Sequence, residues 1–292
     1  MKANRASRTA EHNALFRALE RTVTERAPLF DDPLASRFLT WPLSAVGRLS
    51  ALPGGGRALR TAIDRRWPGV RTSVVARTRL IDDTLAAMPS ERLGQLVVLG
   101  AGFDSRPYRL DRLRAIPVFE VDHPATQRAK RSALARALET LPSNVTFIPS
   151  DFNLRQLGPA MEAAGFRPSV PTVFLWEGVT NYLTAQAVDA TICWCAKAAS
   201  ESALIFTYIH SDVLTKPENF VGADRLHATL AKVGERLTFG MDPDDMAHYL
   251  DERGLDRKWD LGAAEYRHRY FGDRARAMVG HEFYRTALAL VR

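Results

Sequence analysis

The sequence predicts an α/β fold in which a mostly parallel sheet carries helices on both faces. Three observations support this. Five short apolar runs rich in β-branched or aromatic residues lie in the middle of the 292-residue chain. Helix-forming stretches separate them, and the first run leads directly into Gly-Ala-Gly. Alternating strand and helix signals of this kind build parallel sheets, because a parallel neighbour is reached only through a crossover.

The strand candidates are residues 95–100 (QLVVLG), 117–121 (PVFEV), 145–148 (VTFI), 172–176 (TVFLW) and 203–209 (ALIFTYI). Each is short and apolar, and most are bounded by Pro, Gly, Asp or Asn, as buried strands are. Residues 124–141 and 186–199 have helical composition. Residues 211–241 look like a polar helical insertion punctuated by Pro217 and Gly222. Residues 242–254 read as a helix with Asp242 as N-cap, Pro243 at its first position and Gly254 closing it. Residues 255–261 and 284–291 supply two late strands.

The first 94 residues hold no strong strand. Residues 10–20, 32–39 and 72–88 are helical candidates, and residues 52–56 (LPGGG) a loop. Their apolar faces need a partner surface, which predicts a helical cap on the sheet. The expected organisation is one domain: a cap over residues 1–94, a core over 95–210, an insertion over 211–241, and the rest of the sheet over 242–292.

Composition narrows the function. Hydrophobic residues make up 46% and charged residues 25%, an ordinary globular balance. The net charge is +7, and arginine supplies 34 of the 40 basic residues, spread along the chain as on a solvated surface. The five tryptophans lack basic interleaving, so no nucleic-acid partner is expected. No apolar run exceeds about eight residues, against roughly 20 for a bilayer span, and residues 1–20 contain no signal-peptide core. Cys193 and Cys195 sit two apart on a predicted helix, on different faces, and predict neither a disulfide framework nor a metal site. A cytoplasmic protein is expected, its oligomeric state open.

The most informative stretch is LGAGFDSR at residues 99–106. A strand ending in Gly-x-Gly lets a ligand approach backbone N–H groups closely. Dinucleotide sites use such a turn for a pyrophosphate, usually with a third glycine three positions on. Here that position is Ser105, and Asp104 would place a carboxylate beside the phosphates. S-adenosylmethionine suits an acidic turn better, since it carries an ammonium and a cationic sulfur. Asp122, 20 residues past Gly102, fits a ribose-diol acceptor, and Asp151 fits an adenine amino group. Either aspartate could equally serve as a helix cap.

LGAGFDSRPYRL, FEVDHPATQRAK, SDF at 150–152 and WEGVTNYL together resemble the leucine carboxyl methyltransferase family, especially bacterial members such as polyketide carboxyl methyltransferases of the tetracenomycin type. SRTAEHNALFRALE, PLFDDPLASRFL and VVARTRLIDD extend the resemblance through the N-terminal region. It implies a class I methyltransferase (Rossmann-like) fold: a seven-stranded, mostly parallel sheet with its last strand antiparallel, a helical N-terminal lid and an insertion after the fifth strand. It also implies S-adenosyl-L-methionine as cofactor. Gly100 and Gly102 match the family's cofactor loop, Asp122 its ribose carboxylate, and Asp151 with Phe152 the pair beside adenine. Glu177 matches the acidic residue near the methionine moiety. Arg77 falls where an arginine pairs with the methionine carboxylate, with Arg71 as its rival. Asp104 is placed to meet the ligand's ammonium or to cap the helix after the turn.

The expected reaction is O-methylation of a carboxylate on a small-molecule, polyketide-like or other secondary metabolite. A carboxylate is ionised at neutral pH, so no general base is required. Arg106, Tyr108, Asn181, Tyr182, Tyr208 and His210 are candidates to orient the acceptor, with Arg106, Tyr182 and His210 placed in the catalytic set. Arg106 could instead hold the turn by pairing with Asp104. His210 would serve as base if the acceptor were a hydroxyl. Two further readings stay open on the same residues: methylation of a tRNA-bound carboxylate, and a catalytically silent cofactor-binding regulator.

Overall fold

The computed structural model describes residues 7–152 and 157–292; residues 1–6, the start of the expected cap, lie outside them. Seven strands form one sheet: β1 (Gln95–Leu99), β2 (Val118–Asp122), β3 (Val145–Pro149), β4 (Thr172–Trp176), β5 (Ala203–Ile209), β6 (Leu255–Gly262) and β7 (Tyr284–Val291). Their order is β3-β2-β1-β4-β5-β7-β6. The first five are parallel, and β7 pairs antiparallel with both β5 and β6. Strand succession runs outward from β1 in one direction and from β4 in the other. The crevice at the carboxyl ends of β1 and β4 is therefore the switch point where open α/β sheets bind ligands.

Successive side chains on a strand point to opposite faces, and both faces here are covered. Leu96 and Val98 of β1 face a cluster containing Leu15, Leu19, Ile81 and Leu85, whereas Val97 and Leu99 face one containing Met161, Val188 and Ile192. Burying each such side chain contributes about 1.5–3 kcal/mol. Continuous apolar runs rather than alternating ones are what this two-sided burial demands.

The helices are α1 (Arg8–Glu20), α2 (Leu43–Leu49), α3 (Gly55–Arg66), α4 (Val70–Ala87), α5 (Arg106–Arg109), α6 (Pro124–Ala137), α7 (Leu157–Ala163), α8 (Ala185–Cys195), α9 (Asp212–Thr215), α10 (Ala223–Val233), α11 (Met246–Asp251) and α12 (Ala263–Phe271). Among those preceding β1, α4 packs against α1 and, from the far end of the chain, α12. Ser7 caps α1 by accepting from the Ala10 N–H.

Three expectations need correction. Residues 32–39 form no α-helix, only a 3-10 turn at Ala35–Phe38, because the Asp32 carboxylate is tied up by Arg17 and Ser105 as well as the Ala35 N–H. The helix expected from Asp242 begins at Met246. Asp242 spends its carboxylate on the Asp244 N–H, two residues on, which closes a turn instead. The loop at 52–56 ends early, since α3 starts at Gly55.

Candidate active site

The ends of β1, β2, β3 and β4 line a cavity of about 600 Å³ that is also lined by α1, by the end of α10 and by the residues that follow it. β1 ends in a turn that only small residues fit. Gly100 has φ +67°, and a Cβ there would lie 2.3 Å from Val179 Cγ2. The N–H of Gly102 donates to the Asp122 carboxylate, which also receives the His123 N–H at 2.5 Å. Burial pushes the Asp122 carboxyl upward against the lowering effect of these two N–H groups. Ser105, where a dinucleotide site would carry glycine, donates to Asp32 at 2.6 Å.

Behind the turn is a charge network. Arg106 donates from Nε to Asp82 at 2.7 Å and from Nη1 to Asp104 at 2.6 Å and Glu177 at 2.8 Å. Arg77 Nε donates to Glu177 at 2.7 Å, and Arg109 Nη2 donates to both oxygens of Asp82. Three guanidinium groups thus face three carboxylates, and the network is neutral overall. Burial alone would raise Glu177, but Arg106 and Arg77 outweigh it and hold the carboxyl at about 2. Arg106 Nη2 is buried with no hydrogen-bond partner among the described residues.

Phe152, after β3, stacks on Trp176 with centroids 6.4 Å apart, and with Asp151 it lines the cavity. A smaller cavity of about 110 Å³ adjoins the first. Thr9, Asn13, Gly178 and Tyr182 line both. Burial, then Tyr284 and Glu235, push the Tyr182 hydroxyl well above its ordinary value, so it stays protonated.

A model of the family described as leucine carboxyl methyltransferase matches residues 10–196. The chain belongs to that family. A relative from Frankia alni, named "Putative S-adenosyl-L-methionine-dependent methyltransferase", is 39% identical over 185 residues, 63% of this chain and 62% of its own. One of the same description from Rhodococcus jostii is 36% identical over 266 residues, covering 87% and 80%. Against the Frankia relative and two from Streptomyces, the chain spans less than two thirds of their length: 62%, 65% and 61%. A DUF574 family protein from Streptomyces avermitilis shares the fold over 95% of this chain and 97% of its own, at TM-score 0.59 and 13% identity.

The cofactor for which the relatives are named fits this site. Gly100, Gly102, Asp104, Asp122, Asp151, Phe152 and Glu177 all line the larger cavity. A neutral ion-pair network suits a ligand end bearing both an ammonium and a carboxylate, and the unpartnered N–H group of Arg106 offers that carboxylate a donor.

Other residues fall elsewhere than expected. Arg77 lines the smaller cavity, not the larger, and lies over the Tyr284 ring at 4.7 Å. Arg71 is bound to Asp64 at 2.6 Å and lines neither. Arg106 pairs with Asp104, the loop-holding role, rather than standing free to orient an acceptor. His210 also lines neither cavity: its Nδ1 accepts the Asp212 N–H at 3.1 Å, at the start of α9. The hydroxyls of Tyr108 and Tyr208 are spent on Glu120 and Asp260, away from both cavities. Of the acceptor candidates, Asn181 lines the smaller cavity and Tyr182 lines both.

Sequence reasoning missed Thr9, Asn13 and Arg17 of α1, Glu235 beyond α10, and His281. Thr9 Oγ1 donates to Glu235 at 2.5 Å, and both residues line the larger cavity. Arg17 ties α1 to Asp32 at 2.8 Å and to the Phe103 carbonyl at 2.5 Å. None of these lies at a strand end, so only tertiary packing brings them to the site.

Proposed function

We propose that the chain is an S-adenosyl-L-methionine-dependent O-methyltransferase that esterifies a carboxylate of a small-molecule metabolite. The observation that carries this is the closure of the Gly100–Gly102 turn onto Asp122 beside a neutral arginine–carboxylate network. When bound, the cofactor supplies an electrophilic methyl group on a cationic sulfur.

The chain's own residues bind, orient and exclude water. Asp122 offers its carboxylate to a diol, and Asp151 and Phe152, which line the same cavity, meet the adenine. Arg106 and Glu177 meet the charged end. Glu177 is committed to two guanidinium groups and Tyr182 keeps its proton, so neither removes a proton from an acceptor. That suits a carboxylate, which has none to lose at neutral pH. Asp122, Arg106 and Glu177 would hold the cofactor so that the methyl group it would supply faces the acceptor oxygen, with opposite charges brought together. Alignment in a dry site supplies roughly 7–11 kcal/mol of the barrier reduction.

The test is product chemistry. Incubation with methyl-labelled cofactor and an acid library should give products that release methanol in mild base. Base-stable products would show methyl ether formation at a hydroxyl instead. No turnover despite cofactor binding would indicate a silent, regulatory role.

A further inference from the structure

The smaller cavity holds two buried polar atoms without a partner among the described residues. Asn181 Oδ1 and His281 Nδ1 are both in this state, and the residues are 1% and 5% exposed. Buried polar groups are normally satisfied, so two in the wall of one small cavity point to a ligand that completes them. Around them the lining is mainly apolar and flat-sided, with Trp67, Phe283, Tyr284, Leu226, Leu230 and Leu237, and Arg77 and Tyr182 complete it. The Trp67 indole N–H is already spent on Thr229 at 3.2 Å, leaving that ring a purely apolar wall.

His281 is held firmly. It stacks on Tyr284 at 4.9 Å and meets Phe283 edge-on at 4.8 Å. Its backbone sits at φ +64°, a left-handed conformation that few side chains adopt and that clusters at functional sites. Burial, with Arg77 and Arg267 nearby, keeps the ring neutral. A neutral imidazole can carry its proton on Nδ1 and donate it, and a half-turn of the Asn181 amide presents N–H in place of oxygen.

We propose that this cavity is the acceptor pocket, and that it takes a monocarboxylic acid with a compact, single-ring apolar body whose carboxylate is hydrogen-bonded by Asn181 and His281. This rests on the methyltransferase reading above and specifies its acceptor. The space of about 110 Å³, smaller than the roughly 150 Å³ of an apolar cavity that holds benzene, leaves room for at most one ring.

The test is calorimetric. The full chain is titrated with S-adenosylhomocysteine and then, once saturated, with benzoate, benzyl alcohol or a three-ring aromatic carboxylate. Benzoate should bind more tightly than the alcohol or the larger acid. Asn181→Asp, which sets a negative charge against the carboxylate, should weaken benzoate roughly tenfold or more. His281→Asn, chosen because asparagine tolerates the backbone conformation, should weaken it severalfold. Both variants should retain S-adenosylhomocysteine binding. Benzoate binding no better than benzyl alcohol, or equally in wild type and variants, overturns the assignment while leaving the cofactor site intact. Failure of wild type to bind S-adenosylhomocysteine overturns the methyltransferase reading itself. The wild-type ranking of the three probes decides even where a variant does not fold.

Discussion

Arg77 and Glu177 meet at 2.7 Å across 100 positions of sequence, joining α4 to the carboxyl end of β4. Arg77 is 2% exposed, so without Glu177 its guanidinium would be a buried charge lacking its carboxylate, whereas Glu177 without Arg77 would keep Arg106 at 2.8 Å. Arg77→Ala removes one charged hydrogen bond and should cost about 1.5–3 kcal/mol of stability in denaturant unfolding. It should also weaken S-adenosylhomocysteine, because Glu177, which lines the larger cavity, is then positioned by Arg106 alone. A stability loss under about 1 kcal/mol would contradict a buried pair of this kind.

Acid should act on the same network. With its folded value near 2 against an ordinary 4.5, Glu177 stabilises the fold fully above pH 4.5. That contribution, on the order of 3 kcal/mol, fades as pH falls toward 2. Asp32, lowered by Arg17, Ser105 and Arg109 against the upward push of burial, adds in the same direction. Stability measured from pH 6 down to pH 2 should fall steeply below pH 4.5, and Glu177→Gln should flatten the curve.

Two glycines separate strain from site geometry. Gly100→Ala forces a left-handed φ on alanine and drives a Cβ to 2.3 Å from Val179 Cγ2. Gly165→Ala imposes a left-handed φ too, at +90°, but into open space. Each should lose roughly 1–2 kcal/mol from backbone strain. Cofactor-product affinity should fall only for Gly100→Ala, as titration of both variants would show.

Tyr182 lines both cavities and keeps its hydroxyl protonated. As a neutral donor it contributes about one hydrogen bond, so Tyr182→Phe should lower kcat/KM by roughly three- to tenfold. The pH profile should keep its shape. A far larger loss together with a vanished alkaline limb would mean that Tyr182 is a general base.

Much of the sheet is legible in the sequence because buried parallel strands need unbroken apolar runs. The strands at 172–176, 203–209 and 284–291 are found with the expected bounds. The strand-end lining of the larger cavity is legible for a related reason. Gly100, Gly102, Asp122 and Glu177 sit at strand ends, and topology alone sends strand ends to one edge. The smaller cavity is legible only in part: the sequence offers Asn181 and Tyr182, which line it, but not His281. His281 reaches that cavity through packing among distant segments, and nothing in local sequence favours His281 over His210. Arg106 is ambiguous in sequence because one guanidinium reaches three carboxylates, and only the fold shows which ones are near.

Asp122 gives the central claim its most direct test. Calorimetric titration of S-adenosylhomocysteine into wild type and Asp122→Asn, with NADH as control ligand, reads the proposed ribose contact directly. Micromolar binding to wild type, weakened roughly tenfold or more in the variant and absent for NADH, is the predicted result. Binding of NADH in its place, or no S-adenosylhomocysteine binding at concentrations approaching millimolar, would contradict the assignment of the turn and its aspartate.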